Sequence, residues 1–181
     1  PPPNFAFAFY ALSLCHAINI ITRDDGIQEL RGTSADELAI LTALQQLGFK
    51  WNDREIISPM GTTSMKVVRL LPFSRQRMCM SVIAQYGDNY FCFMKGASEK
   101  VIEHCREETI GSARQVVSDY QNKGLRTLSV SYKELGPHCN YETADMAEIE
   151  SDHTLLATLG IEDTLQNDVQ LTLDILSDAG L

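Results

Sequence analysis

Pro72–Lys100, PFSRQRMCMSVIAQYGDNYFCFMKGASEK, is the stretch on which the reading of this chain turns. Arg77–Gln85 (RMCMSVIAQ) and Tyr90–Met94 (YFCFM) are rich in β-branched, aromatic and sulfur side chains. Tyr86-Gly87-Asp88-Asn89 between them carries residues that tolerate a reversal of direction, so the spacing predicts two strands and a tight turn. Gly96-Ala97-Ser98-Glu99 then makes a small-residue turn, with Ser98 placed to cap a helix that starts at Glu99. By the two-residue period of a strand, Phe73, Arg75 and Arg77 share one face, and Phe91, Phe93 and Lys95 share one face of the second strand. Positive charge gathers here (Arg75, Arg77, Lys95 and Lys100, with Lys66 and Arg69 upstream) in a chain of formal net charge −9. An aromatic ring beside cations at a strand end offers a nucleotide a stacking surface and charge for its phosphates. An ordinary hairpin with a buried phenylalanine and solvated basic ends has the same spacing.

Working upstream, Lys50–Met60 and Thr62–Leu71 read as strands broken at Pro59-Met60-Gly61, which makes an antiparallel meander the simplest arrangement. Thr33-Ser34-Ala35-Asp36-Glu37 is a helix start: Ser34 caps, and the two acids sit at the positive end of the helix dipole. Leu38, Ile40, Leu41, Leu44 and Leu47 carry that helix to a stop near Gly48. Asp24-Asp25-Gly26 is a turn. Residues 4–21, NFAFAFYALSLCHAINII, read as a buried helix after Pro1–Pro3.

Downstream, Glu99–Cys105 is a short helix and Ser112–Asn122 a longer one with Gly124 as its C-terminal cap. Arg126–Tyr132 is a strand, Glu134–Asp152 a polar insertion containing a helix, and Leu155–Ile161 a short apolar strand. Leu165, Val169, Leu173 and Leu176 then form the buried stripe of an amphipathic helix.

Four pieces in order carry a family likeness: Ser34-Ala35-Asp36-Glu37, the Phe73…Lys95-Gly96-Ala97 hairpin, Gly124-Leu125-Arg126-Thr127-Leu128, and Ile161-Glu162-Asp163-Thr164-Leu165-Gln166. Together they resemble the nucleotide-binding domain of P-type ATPases, and the last resembles the phospholipid-transporting, or flippase, branch. The resemblance implies an α/β chain of α+β type, with an antiparallel, meander-like twisted sheet flanked by helices. It implies that Phe73 stacks on adenine, that Lys95 and Gly96 line the same pocket, that Glu37 lies at the adenine end, and that Arg126 reaches the phosphate side. A lysine usual in the family five residues after the phenylalanine is Met78 here, and Arg75 or Arg77 is placed to supply the charge instead. Residues 1–153 are expected to form the nucleotide-binding domain. Residues 154–181 are expected to begin the phosphorylation domain, with Asp163 at the hinge.

The sequence contains no D-K-T-G-T, T-G-D or G-D-G-x-N-D. The expectation is a chain that binds ATP, with Mg2+ accompanying the nucleotide, and presents the γ-phosphate to an aspartate outside itself without hydrolysing ATP alone. No catalytic residue is assigned within it. Its implied partner is the phosphorylation domain of the same polypeptide, and phospholipid is met only through transmembrane segments outside this chain. A cation-pumping relative, or an interaction module that has lost nucleotide affinity, are the other readings.

Composition narrows the field. Hydrophobic content of 44% and charged content of 22% are those of a globular chain able to bury a core. The negative charge argues against nucleic acid as partner. No apolar run reaches the roughly 18 residues of a membrane helix. Five cysteines without a paired framework suit a reducing setting, at the cytosolic face of a membrane on the family reading. Cys15-His16, His104-Cys105 and His138-Cys139 are scattered neighbours without a zinc-site spacing, and no metal site is assigned. Walker A and G-x-G-x-x-G loops are absent, so a nucleotide has to be held by side chains on a surface.

Overall fold

The computed structural model describes residues 3–52 and 55–162. Asp163, expected at the hinge, and the helix expected over Leu165–Leu176 lie outside the described residues. The core element is an antiparallel five-stranded meander, β6 (Lys66–Ser74), β7 (Cys79–Tyr86), β8 (Asn89–Ala97), β9 (Arg126–Gly136) and β10 (Thr154–Ile161), in the order β10-β9-β8-β7-β6. The fold is α+β with helices flanking antiparallel sheet, as the sequence predicts. Upstream strands form a separate three-stranded meander, β3 (Lys50–Asn52), β4 (Glu55–Ser58) and β5 (Gly61–Ser64), and a hairpin of β1 (Asn19–Thr22) and β2 (Gln28–Arg31).

The hairpin at the centre has its turn where the sequence places it: Tyr86 pairs with Asn89 and Gly87 has φ +59°. Its first strand starts two residues late. β6 ends at Ser74, and residues 75–78 form a turn closed by the Met78 N–H donating to the Ser74 carbonyl at 2.7 Å. Arg75 and Arg77 are therefore turn residues, and strand alternation does not put them beside Phe73.

One sheet face carries Phe91, Phe93 and Lys95, the other Cys92, Met94 and Gly96. Over the first lies α1 (Pro3–Leu14), where Phe7 meets Phe91, Phe93 and Tyr132 with ring centroids 4.9–6.0 Å apart. The helix predicted over residues 4–21 stops at Leu14, and Asn19–Thr22 turns into strand. A mostly apolar run does not reveal which of its parts is helix and which is strand. α2 (Ala35–Gln46) is capped by Ser34, whose Oγ accepts the Glu37 N–H at 3.3 Å, and ends beside Gly48 at φ +89°.

α3 (Ser98–Glu103) begins one residue early, and Ser98 does not cap it. Its hydroxyl instead accepts a hydrogen bond from Ser129 at 2.9 Å, fully buried. α4 (Glu107–Ile110), α5 (Ala113–Asn122) and α6 (Met146–Ile149) complete the set, and Gly124 follows α5 at φ +75°. The boundary expected after residue 153 falls directly before β10, which runs along β9 from Thr154–Tyr132 to Ile161–Arg126.

The second face buries polar groups in pairs. Ser81 donates to Glu150 at 2.6 Å, and Glu150 also takes the Arg77 guanidinium. His153, with no exposed surface, donates Nε2–H to the Ile149 carbonyl at 3.0 Å and accepts from Ser131 at Nδ1, also at 3.0 Å. Burial pushes its pKa from the usual 6.5 down to about 4, which keeps the imidazole neutral with Nδ1 as the acceptor. The unfolded chain takes up this proton near its ordinary value, so the contribution is fully present above about pH 6.5 and is lost as pH falls toward 4. About 3 kcal/mol is at stake. Denaturant midpoints between pH 7 and 4.5 should fall steeply for the wild type and less steeply for His153→Asn.

Candidate functional site

Lys95 sits one step before the small-residue turn that closes β8, directly opposite Met80 on β7 and Val130 on β9. Strands on both sides leave it 5% exposed, so its ammonium needs an internal partner. α2 supplies one: Nζ lies 3.0 Å from Glu37 Oε1, and the other carboxylate oxygen accepts the Ala17 N–H at 2.9 Å. Glu37 is 9% exposed. The pair thus ties the central strand, the start of α2 and the segment joining α1 to β1.

That joining segment is itself shaped by the lysine. The Cys15 thiol donates to the Phe93 carbonyl at 3.5 Å, and burial pushes its pKa to about 12, with Lys95 pulling the other way. Burial, then the Lys95 charge, holds the His16 pKa below its ordinary value. The Ile18 N–H donates to His16 Nδ1 at 3.1 Å, which leaves the proton of the neutral ring on Nε2. Beyond them lies a cleft of about 610 Å³ walled by Ser13, His16, Ile18, Trp51, Leu70 and Val82.

Asp36 and Glu37 are neighbours on a helix and point about 100° apart. Each takes its own cation. Asp36 holds Arg126, the first residue of β9, by two contacts of 2.8 and 3.0 Å. Arg126, Leu128 and Val130 alternate onto the face that carries Lys95, so both cations border the first turn of α2.

Phe73 is reached differently. The β6–β7 register slips between Leu71–Ser81 and Ser74–Cys79, so Pro72 and Phe73 fall together opposite Met80. Met80 in turn pairs with Lys95, which puts Phe73 two strand spacings, about 10 Å, from the lysine's strand. Its ring is 56% exposed and meets no other aromatic ring among the described residues. Arg75 is exposed in the adjoining turn and has no hydrogen-bond or ion-pair partner among the described residues. Arg77 goes the other way, to Glu150 on the opposite face, whose carboxylate also accepts from Ser81. Met78, half-exposed, takes φ +54°, and its carbonyl accepts the Ala97 N–H at 2.9 Å.

Gly96 has a packing reason to be glycine. A Cβ there would lie 2.4 Å from the Met78 carbonyl oxygen and 2.5 Å from Cys79 Cβ. The structure thus brings Glu37, Lys95 and Arg126 to one border, leaves Phe73 and Arg75 at the nearby sheet edge, and takes Arg77 away. Ala17, Asp36 and Met80 join the site without having been singled out. Only Asp36, beside Glu37 in S-A-D-E, carried a signal in the sequence.

Residues 8–168 match the family model described as P-type ATPase, cytoplasmic domain N. The chain belongs to that family. This N domain is 27% identical over 201 residues to human phospholipid-transporting ATPase ID, covering 96% of the chain and 17% of that protein. It is 27% identical over 194 residues to phospholipid-transporting ATPase neo1 of Schizosaccharomyces pombe, covering 94% and 19%. To mouse phospholipid-transporting ATPase FetA it is 32% identical over 200 residues, covering 94% and 17%. The chain spans less than a fifth of the length of these relatives. No helix among the described residues is long and apolar enough to cross a membrane.

Removing one member of a buried ion pair strands the other charge, at a cost of about 3–5 kcal/mol. Lys95→Met and Glu37→Leu should each lower stability by that order in urea unfolding. The double variant should recover most of the loss. Full additivity of the two losses would show that the pair is not coupled.

Proposed function

We propose that this N domain binds ATP as part of a phospholipid-translocating P-type ATPase and presents the γ-phosphate to an aspartate outside this chain. The observation that carries the reading is the convergence of Lys95 and Arg126 on the first turn of α2, with an unstacked Phe73 at the neighbouring sheet edge. An exposed phenylalanine costs solvation and does nothing for the core, whereas it offers a base a face to stack on. Lys95 and Glu37 border the adenine end. Arg126 and Arg75 supply positive charge on the phosphate side, and Mg2+ arrives with the nucleotide. Gly96 serves by letting β7 and β8 approach, and Arg77 by fixing the turn from below through Glu150.

The names of the relatives favour lipid over a cation as cargo. In the whole protein, hydrolysis through an aspartyl-phosphate, membrane attachment and lipid movement belong to parts outside this chain. Positioning and electrostatics dominate phosphoryl transfer, which suits a rigid platform swung toward its neighbour. We place the crossing to that neighbour after β10, since Thr154–Ile161 is held in the sheet, and Asp163 at that crossing serves as the hinge.

The test is titration of the chain with ATP, followed by amide and side-chain NMR. Saturable binding near a millimolar constant, about −4 to −5 kcal/mol, is expected. Shifts should cluster at Glu37, Phe73, Lys95 and Arg126. Phe73→Ala, at an exposed position where folding is not at stake, should abolish them. Flat spectra to several millimolar ATP from folded protein would sink the nucleotide reading and favour an interaction module.

A further inference from the structure

Asp36 and Glu37 cancel the two cations they hold. Glu37 does so in the interior, where an unpaired Lys95 ammonium would be costly. Asp36 has no such duty. The Arg126 side chain is 47% exposed and that of Asp36 24%, so water could solvate the guanidinium if the carboxylate were absent. The guanidinium nonetheless donates Nη1–H to Oδ2 at 3.0 Å and holds Nη2 2.8 Å from Oδ1, so the group a phosphate would engage already faces a carboxylate. Carboxylate and phosphate compete for the same fork.

We infer that Asp36 is an internal competitor for nucleotide phosphate, occupying the Arg126 fork in the free domain and setting how strongly charge on the nucleotide counts. The inference rests on the nucleotide reading above. Two consequences separate it from a purely structural role for Asp36. Its effect grows with ligand charge, because a phosphate has to displace the carboxylate while a neutral nucleoside does not. Its effect also disappears when Arg126 is gone, because the competition runs through that residue.

The same geometry explains how the acid can be spared by the fold. Ser34 caps α2 through the Glu37 N–H, not through Asp36, and Glu37 keeps a carboxylate in the first turn when the Asp36 charge is removed. The Glu37–Lys95 pair and its Ala17 contact do not involve Asp36. Asp36→Asn therefore removes the charge while keeping the cap and the buried pair, and Asp36→Ser does so with a different shape.

The experiment compares ATP and adenosine as probes, titrated into wild type, Asp36→Asn, Asp36→Ser, Arg126→Gln and the Asp36→Asn/Arg126→Gln double variant, with thermal melts confirming folding. ATP affinity should rise about two- to fivefold in both Asp36 variants, the range a partly exposed ion pair allows, while adenosine affinity stays unchanged. In the Arg126→Gln background the Asp36 change should have no further effect. Tighter binding of ATP and adenosine alike would overturn the competitor role, as would ATP affinity indifferent to Asp36 or an Asp36 effect that persists without Arg126. Wild type binding neither probe would overturn the nucleotide reading itself, and this inference with it.

Discussion

Everything around the site depends on one buried contact, the Lys95–Glu37 ion pair. Lys95 is placed by the central strand of a five-stranded sheet, where neither neighbour leaves it a route to water. Glu37 is placed by a helix whose cap, Ser34, comes three residues past the end of β2. The pair therefore docks α2 on the sheet and, through the Ala17 N–H, fixes the end of the α1–β1 connection. Desolvating two charges is expensive, and an apolar pair of similar volume commonly holds a fold as well. Stability alone is a poor reason for these residues to be charged. On the nucleotide reading they are charged because a base and its phosphates are bound against them.

The sheet separates two kinds of chemistry by side-chain alternation. The Lys95 face packs aromatic rings from α1 and carries both cations of the site. The opposite face is a support layer: Ser81 and Arg77 share Glu150, Ser98 and Ser129 bond each other, and His153 bridges Ser131 to the backbone at Ile149. The Ser81–Glu150, Arg77–Glu150 and Ser131–His153 contacts join residues far apart in sequence and lock β7, β9 and the α6 segment together. The turn at 75–78 belongs to both faces at once. Arg77 anchors it below, and Arg75 is left above in solvent.

Much of this was legible in the sequence where local chemistry decides the outcome. The β7–β8 turn, the Ser34 cap and the glycines at 48 and 124 follow from what single residues do to backbone torsions and orphan N–H groups. The parts that were not legible are long-range. Arg77's partner is Glu150, and nothing within the PFSRQRM segment announces that an acid 73 positions on will claim it. Met78 adopts φ +54°, a left-handed conformation that a methionine does not advertise, and it ends the alternation that grouped Phe73, Arg75 and Arg77. Ser98 looks like a cap, but a buried Ser129 across the strand outcompetes the helix terminus for its hydroxyl. The run from Asn4 to Ile21 is mostly apolar, so its division into helix and strand came from packing over Phe91 and Phe93.

The charge balance of the site is the last constraint. The chain carries −9 overall, so a polyanion approaches against the long-range field and is held only by local contacts. Of the basic residues near the site, Lys95 faces Glu37, Arg126 faces Asp36 and Arg77 faces Glu150, each beside an acid that neutralises it. Arg75 is the basic residue of that turn without an acid beside it among the described residues. On the nucleotide reading, affinity depends less on how many cations surround the pocket than on which acids let go. A buried acid such as Glu37 releases its lysine only at the cost of stranding a charge, whereas Asp36, with a quarter of its side chain exposed, gives up less. The burial difference between two adjacent carboxylates assigns one to holding the fold and leaves the other free to respond.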